Sequence, residues 1–347
     1  MLRLKRISNN LVRMTTIGSS YNARMRRILL VKTSSLGDVV HNLPVVSDLQ
    51  AHFPEAQIDW AVEASLAELP ALHPGVSEVI GVDPRRWRAS LLSTRTWQEL
   101  RALRARLRER AYDVVIDSQG LVKSALIARL APGRRYGLDW ASAREPLRLF
   151  YHRTFSVSWK VHAVERNRQL AAQALGYDCS TRAQYGVRAP QPAAEAPSWM
   201  LPLLSTPYVV LLHGTSARAK LWPEHQWIKL GDHVHHKGLV PVLLWGNEEE
   251  HARSERIAKV LKHAVVASRL TLRQIASLLG GAQAVFGVDT GLTHLAGALG
   301  KPTIGIYCAT DPAATGLYGS TRAVNVGTPA QAPSVAAVIA AWKQAVP

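Results

Sequence analysis

The stretch from Ala284 to Tyr307, AVFGVDTGLTHLAGALGKPTIGIY, constrains the fold more than any other part of the chain. Its first five residues form an apolar run typical of a buried strand, and apolar side chains then recur at helical spacing. Lys301-Pro302 ends that helix, and the apolar run 303–307 predicts a second buried strand. Strand, tight turn, helix and strand in this order are typical of an open parallel α/β sheet.

The turn of this unit consists of Asp289, Thr290 and Gly291, and it would lie at the carboxyl edge of the sheet, where ligands bind in such folds. Free backbone N–H groups at the helix start favour a phosphate there, and Gly291 would let the backbone approach an anion closely. Asp289 could equally cap the helix without any ligand. The chain contains neither a GxGxxG sequence nor a Walker P-loop ending, so the two common nucleotide motifs are absent.

Strand–helix alternation occurs on both sides of a Pro- and Ala-rich segment, RAPQPAAEAPS, at residues 188–198. We therefore predict an α/β protein whose two doubly wound, Rossmann-like domains face each other across a cleft. The predicted parts are a basic extension without fixed structure (1–24), a first domain (25–187), a linker (188–205) and a second domain with a final helix (206–347). Within the first domain, we expect one helix after the first strand, continuing through Phe53, and a loop at RRWR, residues 85–88.

The charge balance is strongly basic, with 42 Lys and Arg against 25 Asp and Glu, and the excess lies toward the front half. Such a protein usually meets nucleic acid, an anionic membrane surface or an acidic substrate. Aromatic residues are not interleaved with the basic runs as stacking platforms would require, so we predict no nucleic-acid partner. Two distant cysteines, Cys179 and Cys308, favour a reducing compartment. The sequence contains no run of 18 apolar residues, so it predicts no membrane span.

Polar residues follow several predicted strands and would converge on the cleft. Asp38 could deprotonate a nucleophile or cap its helix, and Lys220 could neutralise a diphosphate or remain solvated. Thr215 and Ser216 could donate hydroxyl groups to a phosphate or stabilise a turn. Glu248 could accept hydrogen bonds from ribose hydroxyls or belong to a solvated acidic face. No metal-ligand cluster is recognisable, so the predicted chemistry depends on these side chains.

Six segments together resemble one family, the lipopolysaccharide heptosyltransferases. They are VKTSSLGDVVHNLP (31–44), RRWR (85–88), DSQGLVKSA (117–125), SAREP (142–146), VDTGLTHLAGALGKP (288–302) and TDP (310–312). The resemblance covers the chain from Met25 onward, and the form TSSxGDVxHxLP favours heptosyltransferase I over heptosyltransferase II members. It implies a GT-B fold and an inverting transfer of L-glycero-D-manno-heptose from ADP-heptose to a Kdo residue of Kdo-lipid A.

The resemblance also implies roles for individual residues. Asp38 matches the catalytic base of the family. The donor-side residues are Thr215, Ser216, Lys220, Glu248, Asp289, Thr290, Gly291, Leu292 and His294. The acceptor-side residues are Arg85, Arg88, Gln119, Lys123 and Arg144. The chain departs from the family pattern at Ala89, where a further basic residue is expected, and this puts the detail of acceptor contact in question.

The expected partners follow from these roles. We expect ADP-heptose as the donor substrate, Kdo-lipid A as the acceptor, no metal and no cofactor. We also expect a monomer in peripheral contact with an anionic membrane, at the cytoplasmic face of the inner membrane of a Gram-negative bacterium. Three alternatives stay open at this point: a heptosyltransferase II, a nucleotide-sugar epimerase with the same two-domain fold, and a basic nucleic-acid-binding protein.

Overall fold

The computed structural model describes residues 25–191, 196–329 and 331–346. The predicted basic extension, 1–24, lies outside the described residues, as does part of the predicted linker, 192–195. The described part contains two six-stranded parallel sheets, one before and one after the linker region. The predicted α/β class and the two doubly wound sheets are therefore confirmed.

The first sheet has the strand order β3-β2-β1-β4-β5-β6. Its strands are β1 (Arg27–Val31), β2 (Gln57–Glu63), β3 (Val76–Val82), β4 (Val114–Asp117), β5 (Arg134–Leu138) and β6 (Arg153–Phe155). The central strands are covered on both faces, which explains their continuous apolar runs. The edge strand β6 was not predicted, because it has three residues, two of them polar, and presents no apolar run.

Helices cover both faces of this sheet. They are α1 (Leu36–Val40), α2 (Leu43–His52), α3 (Pro84–Ala89), α4 (Thr94–Glu109), α5 (Val122–Leu130) and α6 (Ala163–Leu175). Buried side chains of α2 and α6 share one core with one face of the sheet, and those of α3, α4 and α5 fill the core on the other face. The crossovers leave the starts of α1, α3 and α5 at the carboxyl ends of β1, β3 and β4, where the predicted site lies.

Two local predictions for this half are wrong. The single helix expected through Phe53 is two helices, α1 and α2, because Pro44 fits only the first turn of a helix, where its missing N–H costs nothing. The loop expected at RRWR is helix α3. Asp83 caps it by accepting a hydrogen bond from the Arg86 backbone N–H at 3.2 Å, and Trp87 is buried against the sheet. A helix of six residues is too short to show a helical period.

The second sheet has the strand order β12-β11-β10-β7-β8-β9. Its strands are β7 (Tyr208–Leu212), β8 (Val240–Leu243), β9 (Val265–Val266), β10 (Ala284–Val288), β11 (Thr303–Ile306) and β12 (Ala323–Val326). Its helices are α7 (Glu224–His236), α8 (Glu248–Val260), α9 (Leu272–Gly281), α10 (Gly291–Ala298), α11 (Pro312–Thr315) and α12 (Val335–Ala345). The edge strand β12 was not predicted, because its partly exposed side chains, with Asn325 among them, do not form a buried run.

The two halves meet where α1 packs against α10. Gly291 faces the first half of the chain, and a Cβ atom there would lie 2.7 Å from the backbone nitrogen of Gly37 and would overlap the side chain of Leu36. The glycine was predicted to let an anion approach, but in the structure its bare Cα admits the neighbouring helix. This contact brings the segment that contains the predicted base, Asp38, to the predicted donor turn at Asp289.

Candidate active site

Asp38 lies in the first turn of α1, on the first-half side of the cleft. Its Oδ2 atom accepts hydrogen bonds from the backbone N–H and the hydroxyl of Ser35, both at 3.0 Å. Burial alone would raise the pKa of Asp38, but the Lys32 ammonium and the hydrogen bonds from Ser35 outweigh it and hold the pKa below its usual value. Asp38 therefore helps to cap the helix and is also an ionised carboxylate. Both hydrogen bonds end on Oδ2, and Oδ1 has no hydrogen-bond partner among the described residues.

A pocket opens beside Asp38 and is lined by Lys32, Gln119, Arg144 and Arg166. The Lys32 ammonium is buried and donates to the Ser118 carbonyl oxygen at 2.9 Å. Burial lowers the pKa of Lys32, whereas the charge of Asp38 opposes that shift. Three cationic side chains therefore surround one cavity, which favours an anionic group of a bound substrate.

The structure brings together two of the five predicted acceptor residues, Gln119 and Arg144, as lining of this pocket. The Gln119 side-chain oxygen accepts from the backbone N–H groups of Thr33 and Ser34 at 3.0 and 3.1 Å, so Gln119 also fixes the loop before α1. Lys123 lies beside the same loop, where it donates to the Ser34 hydroxyl at 2.6 Å.

The two arginines of α3 that were predicted to bind the acceptor, Arg85 and Arg88, lie away from the pocket lining. The guanidinium of Arg85 is 3.4 Å from Glu63, which also forms an ion pair with Lys123 at 3.0 Å. Arg88 is exposed and makes no ion pair with any residue that the structure describes. Arg85 is therefore linked to Lys123, on the predicted acceptor side, by the ion pairs that both form with Glu63. Arg88 projects into solvent.

Arg166 is a pocket residue that the sequence reasoning missed. Its guanidinium lies over the Trp159 ring, 3.3 Å from the ring centroid, and donates to the Ser142 carbonyl oxygen at 2.8 Å. Its Nε atom is buried without a hydrogen-bond partner. Burial and the neighbouring Arg144 lower the pKa of Arg166 to about 10. In the sequence, Arg166 looks like any surface arginine near the start of a helix. Its place in the pocket lining becomes visible only in the folded structure.

On the second-half side, Asp289 follows β10 and is almost fully buried. Its Oδ2 atom accepts from the Lys220 ammonium and the Thr310 hydroxyl, each at 2.7 Å, and its Oδ1 atom is 3.4 Å from His294 Nε2. Burial would raise the pKa of Asp289, but the hydrogen bonds from His294, Lys220 and Thr310 hold it far below its usual value. Asp289 is thus a fixed negative charge that holds Lys220 in place.

The remaining donor-side residues surround this pair. The Thr215 hydroxyl donates to the Asp289 carbonyl oxygen at 3.1 Å, while Ser216 is exposed. Thr290 is the N-cap of α10 and makes no side-chain cap bond, so the first backbone N–H groups of the helix remain available to an anion. Leu292 is half-buried and packs against the core.

The glutamate of α8 that contacts Gly214, in the loop after β7, is not the predicted Glu248. Glu248 is exposed in the first turn of α8. Two residues later, the Glu250 carboxylate accepts from the Gly246 backbone N–H at 2.7 Å and lies against the Cα of Gly214. Glu248, Glu249 and Glu250 are consecutive, so the sequence could not show which of them contacts Gly214. The helical geometry of α8 turns Glu250 toward Gly214 and leaves Glu248 exposed.

His294 crosses to the first half of the chain. Its ring centroid is 4.5 Å from that of His41, and its Cδ2 atom would touch a Cβ placed on Gly37. Burial and the neighbouring His294 keep the pKa of His41 well below its usual value. Asp38 follows Gly37 directly, and Asp289 precedes Gly291 by two residues, so the two carboxylates flank one contact between the halves.

No three His, Cys, Asp or Glu side chains within the described ranges are grouped as a metal site. No helix in the same ranges is long and apolar enough to cross a bilayer.

Solved structures that share this arrangement at 38–39% identity are those of a heptosyltransferase. The solved structure of E. coli heptosyltransferase WaaC with ADP aligns with a TM-score of 0.83 and 38% identity, over 92% of this chain and 99% of that one. A second structure, WaaC with ADP-2-deoxy-2-fluoro heptose, aligns with a TM-score of 0.78 and 39% identity, over 92% and 98% of the two chains. Together with the two facing sheets, these alignments confirm the predicted GT-B fold and define the protein as a glycosyltransferase.

The family follows from sequence. The model of glycosyltransferase family 9 (heptosyltransferase) matches residues 100–339. Lipopolysaccharide heptosyltransferase 1 of Pseudomonas aeruginosa is 46% identical over 305 residues, covering 87% of this chain and 84% of the relative. The protein of the same name from Escherichia coli K12 is 42% identical over 301 residues, covering 86% and 92%. The chain belongs to glycosyltransferase family 9, the heptosyltransferases, and the predicted resemblance is confirmed.

Proposed function

We propose that this enzyme transfers L-glycero-D-manno-heptose from ADP-heptose to Kdo of Kdo-lipid A, with inversion at the anomeric carbon. The names of its relatives and the ligands of the solved WaaC structures support the sugar and the nucleotide. The observation that carries the mechanism is that Asp38 and the Lys220–Asp289 pair flank the same contact between α1 and α10. This arrangement supports a base and a diphosphate site on opposite sides of one cleft.

On the acceptor side, Asp38 removes the proton of the attacking hydroxyl. The proton passes to Oδ1 as the acceptor oxygen forms a bond to the anomeric carbon of heptose. The bond from that carbon to the phosphate oxygen breaks at the same time, and ADP leaves with the electron pair. The Ser35 hydrogen bonds hold Oδ2, so the carboxylate keeps one orientation throughout.

On the donor side, Lys220 and the start of α10 stabilise the charge that develops on ADP. Lys220 is fixed by Asp289 at 2.7 Å, and Thr215 holds the Asp289 backbone, so the cation needs no reorganisation during reaction. The N–H groups after Thr290 add the positive end of the helix dipole. In this proposal Glu250 accepts hydrogen bonds from the ribose hydroxyls, the role first predicted for Glu248, and its position beside Gly214 supports the assignment.

Lys32, Arg144 and Arg166 bind the acceptor carboxylate. All three line the pocket beside Asp38, and the buried Nε of Arg166 has a donor without a partner. A carboxylate there would pair with these cations and place the neighbouring hydroxyl near Asp38. The proposal explains why cations are buried in a pocket at a cost in desolvation.

Removing Arg166 should weaken acceptor binding and spare the donor. We expect Arg166→Ala to raise the acceptor KM by roughly 10- to 100-fold, since a hydrogen bond to a charged group contributes about 1.5–3 kcal/mol. The donor KM should stay within about threefold of wild type. The matched control is Arg129→Ala, an exposed arginine at the end of α5. An unchanged acceptor KM in Arg166→Ala would show that the carboxylate is bound elsewhere.

We propose that transfer needs no metal ion, because Lys220 and the helix start at Thr290 can neutralise the leaving diphosphate. Treatment with EDTA should leave most of the activity, measured as ADP release with saturating substrates. Activity that is lost on chelation and restored by a divalent cation would assign the charge neutralisation to a metal instead.

We further propose that the enzyme acts as a monomer in peripheral contact with the cytoplasmic face of the inner membrane of a Gram-negative bacterium. Its lipid-linked acceptor must be reached at a membrane surface. The basic excess of the front half favours an anionic lipid surface.

The reaction is tested by incubating the protein with ADP-heptose and Kdo-lipid A and analysing the lipid by mass spectrometry. We expect a product heavier by one heptosyl group, together with free ADP. A converted nucleotide sugar in the absence of acceptor would instead support the epimerase alternative. A product formed only on an acceptor that already carries heptose would indicate a heptosyltransferase II.

A further inference from the structure

The loop between α3 and α4 exposes an unusual amount of apolar surface. Leu92 is 100% exposed, Leu91 is 55% exposed, and Trp97 in the first turn of α4 is 52% exposed. The Trp97 ring nitrogen donates to the Leu91 carbonyl oxygen at 2.8 Å, so loop and helix form one fixed tip. We call these three residues the apolar tip. Contiguous exposed apolar groups of this kind mark a surface that meets another apolar phase.

A line of arginines continues from the apolar tip along α4. At 3.6 residues per turn, Trp97, Arg101, Arg104 and Arg108 lie within about 60° of one another around the helix axis. The three arginines are exposed and form no ion pair with any residue in the described ranges. We call them the arginine stripe.

Other arginines nearby are neutralised, so the stripe differs from an ordinary solvated face. Arg86 and Arg95 form ion pairs with Glu99, and Arg106 forms one with Glu78. Glu99 is thus already engaged by two arginines. The positive charge of α4 is therefore concentrated on the side that begins with Trp97.

The apolar tip lies at the same edge of the first sheet as the catalytic pocket. Strand β3 ends at Val82, α3 follows at that carboxyl edge, and α4 then runs back toward the start of β4. Arg85 of α3 reaches Glu63, which contacts Lys123 beside the loop that precedes Asp38. Any surface that covers the apolar tip would therefore lie next to the acceptor side of the cleft.

We propose that the apolar tip and the arginine stripe dock this enzyme on an anionic phospholipid bilayer. Leu91, Leu92 and Trp97 enter the headgroup region, and the arginines lie over the lipid phosphates. A second copy of the chain is disfavoured, because a symmetric contact would bring two arginine stripes together. The inference rests on the proposed function only for its purpose, which is to hold the cleft over a lipid-linked acceptor.

The test measures binding of the full chain to vesicles by co-sedimentation. The probes are phosphatidylcholine vesicles with and without 30% phosphatidylglycerol, at low and high salt. We expect binding to the anionic vesicles only. Arg101→Ala/Arg104→Ala/Arg108→Ala should weaken the partition coefficient by about 100-fold, since each arginine near an anionic surface contributes roughly fivefold. Leu91→Ser/Leu92→Ser should weaken it by at least about tenfold.

Two variants of the second half serve as matched controls. Leu201→Ser/Val260→Ser removes two exposed apolar side chains, and Lys237→Ala/Lys259→Ala/Lys262→Ala removes three exposed charges where α7 and α8 end. Both should bind vesicles within about threefold of wild type. If the lysine triple variant loses as much binding as the arginine triple variant, net charge alone drives binding and the docking surface is refuted.

Activity on two acceptors separates this inference from the proposed reaction. The arginine and leucine variants should keep wild-type kcat/KM on a deacylated, soluble Kdo acceptor and lose it only on acceptor embedded in vesicles. Loss on both acceptors would mean that the surface belongs to the catalytic cleft instead. A wild-type protein that binds vesicles but transfers no heptose would overturn the reaction and leave the surface standing. Concentration-dependent dimers abolished by the leucine variant, without vesicle binding, would assign the tip to a second copy.

Discussion

Replacing Asp38 by asparagine should lower kcat by about 10²- to 10⁴-fold, the usual contribution of general-base catalysis. The amide cannot take the proton of the acceptor hydroxyl, but its oxygen can still accept the two hydrogen bonds from Ser35. The fold and the affinity for ADP-heptose, measured by calorimetry, should be nearly unchanged. Because the pKa of Asp38 is held below its usual value, wild type is ionised from about pH 5 to 8, and the loss should be similar across that range.

The control is Ser35→Ala, which removes one hydrogen bond to the same carboxylate without removing the base. If Asp38 acts mainly as a cap, Ser35→Ala and Asp38→Asn should impair activity and stability alike. If it is the base, only Asp38→Asn should lose most of kcat. An Asp38→Asn enzyme that keeps more than roughly a tenth of wild-type kcat would leave the base unassigned.

Asp38 should also affect stability in a pH-dependent way. A carboxyl group whose pKa is lower in the folded state stabilises that state at neutral pH, and the contribution is lost as the pH falls toward the lowered pKa. The difference in Tm between wild type and Asp38→Asn should therefore shrink on acidification. This stability effect is separable from the kinetic one, since the Tm is measured without substrate.

Replacing Lys220 by glutamine should lower kcat/KM for ADP-heptose by about 10²- to 10³-fold, as expected when one preorganised group that stabilises developing charge is removed. The ammonium is 2.7 Å from Asp289 and is fixed there before the donor binds. Its loss leaves the buried Asp289 carboxylate with Thr310 and His294 alone, so the pKa of Asp289 should rise from its lowered value and the Tm should fall. ADP affinity should fall together with the rate.

The matched control for this variant is Arg218→Gln, two residues away in the same short turn. Arg218 is exposed, and among the residues that the structure describes its one ion pair is with the exposed Glu249 at 3.2 Å. The kcat/KM for ADP-heptose and the Tm of Arg218→Gln should stay close to the wild-type values. If Lys220→Gln is no worse than Arg218→Gln, the diphosphate does not lie against Lys220, and the positive charge must come from the acceptor side or from the helix start alone.

Sequence reasoning worked best where local chemistry and burial agree. Continuous apolar runs predicted β1 and β10, because strands covered on both faces must be apolar throughout. It failed at β6 and β12, one edge strand of each sheet, where side chains are partly exposed and no pattern distinguishes a strand from a loop. The helix at RRWR was missed for a related reason. Six residues are held helical by Pro84 and the Asp83 cap rather than by periodicity.

The residues of the candidate site also fall into those that the sequence predicted and those that it did not. Asp38, Lys220 and Asp289 follow or precede recognisable strands within motifs, so their types and positions could be predicted without coordinates. Arg166 and Glu250 could not, because each looks like one of many charged residues on a helix surface. Arg166 lines the pocket and Glu250 lies against Gly214 because of the way in which each helix packs against its sheet.

The sequence by itself determined the two-sheet α/β fold, the order of its motifs and the family, because apolar periodicity and turn chemistry are local properties of the chain. Only the tertiary structure decided what each residue of the site faces. Gly291 shows the difference: its local context indicates an anion-binding turn, but its missing Cβ admits Gly37 and Leu36 from the other half of the chain. Contacts between segments more than 250 residues apart are fixed by the packing of two sheets, and no local pattern encodes them.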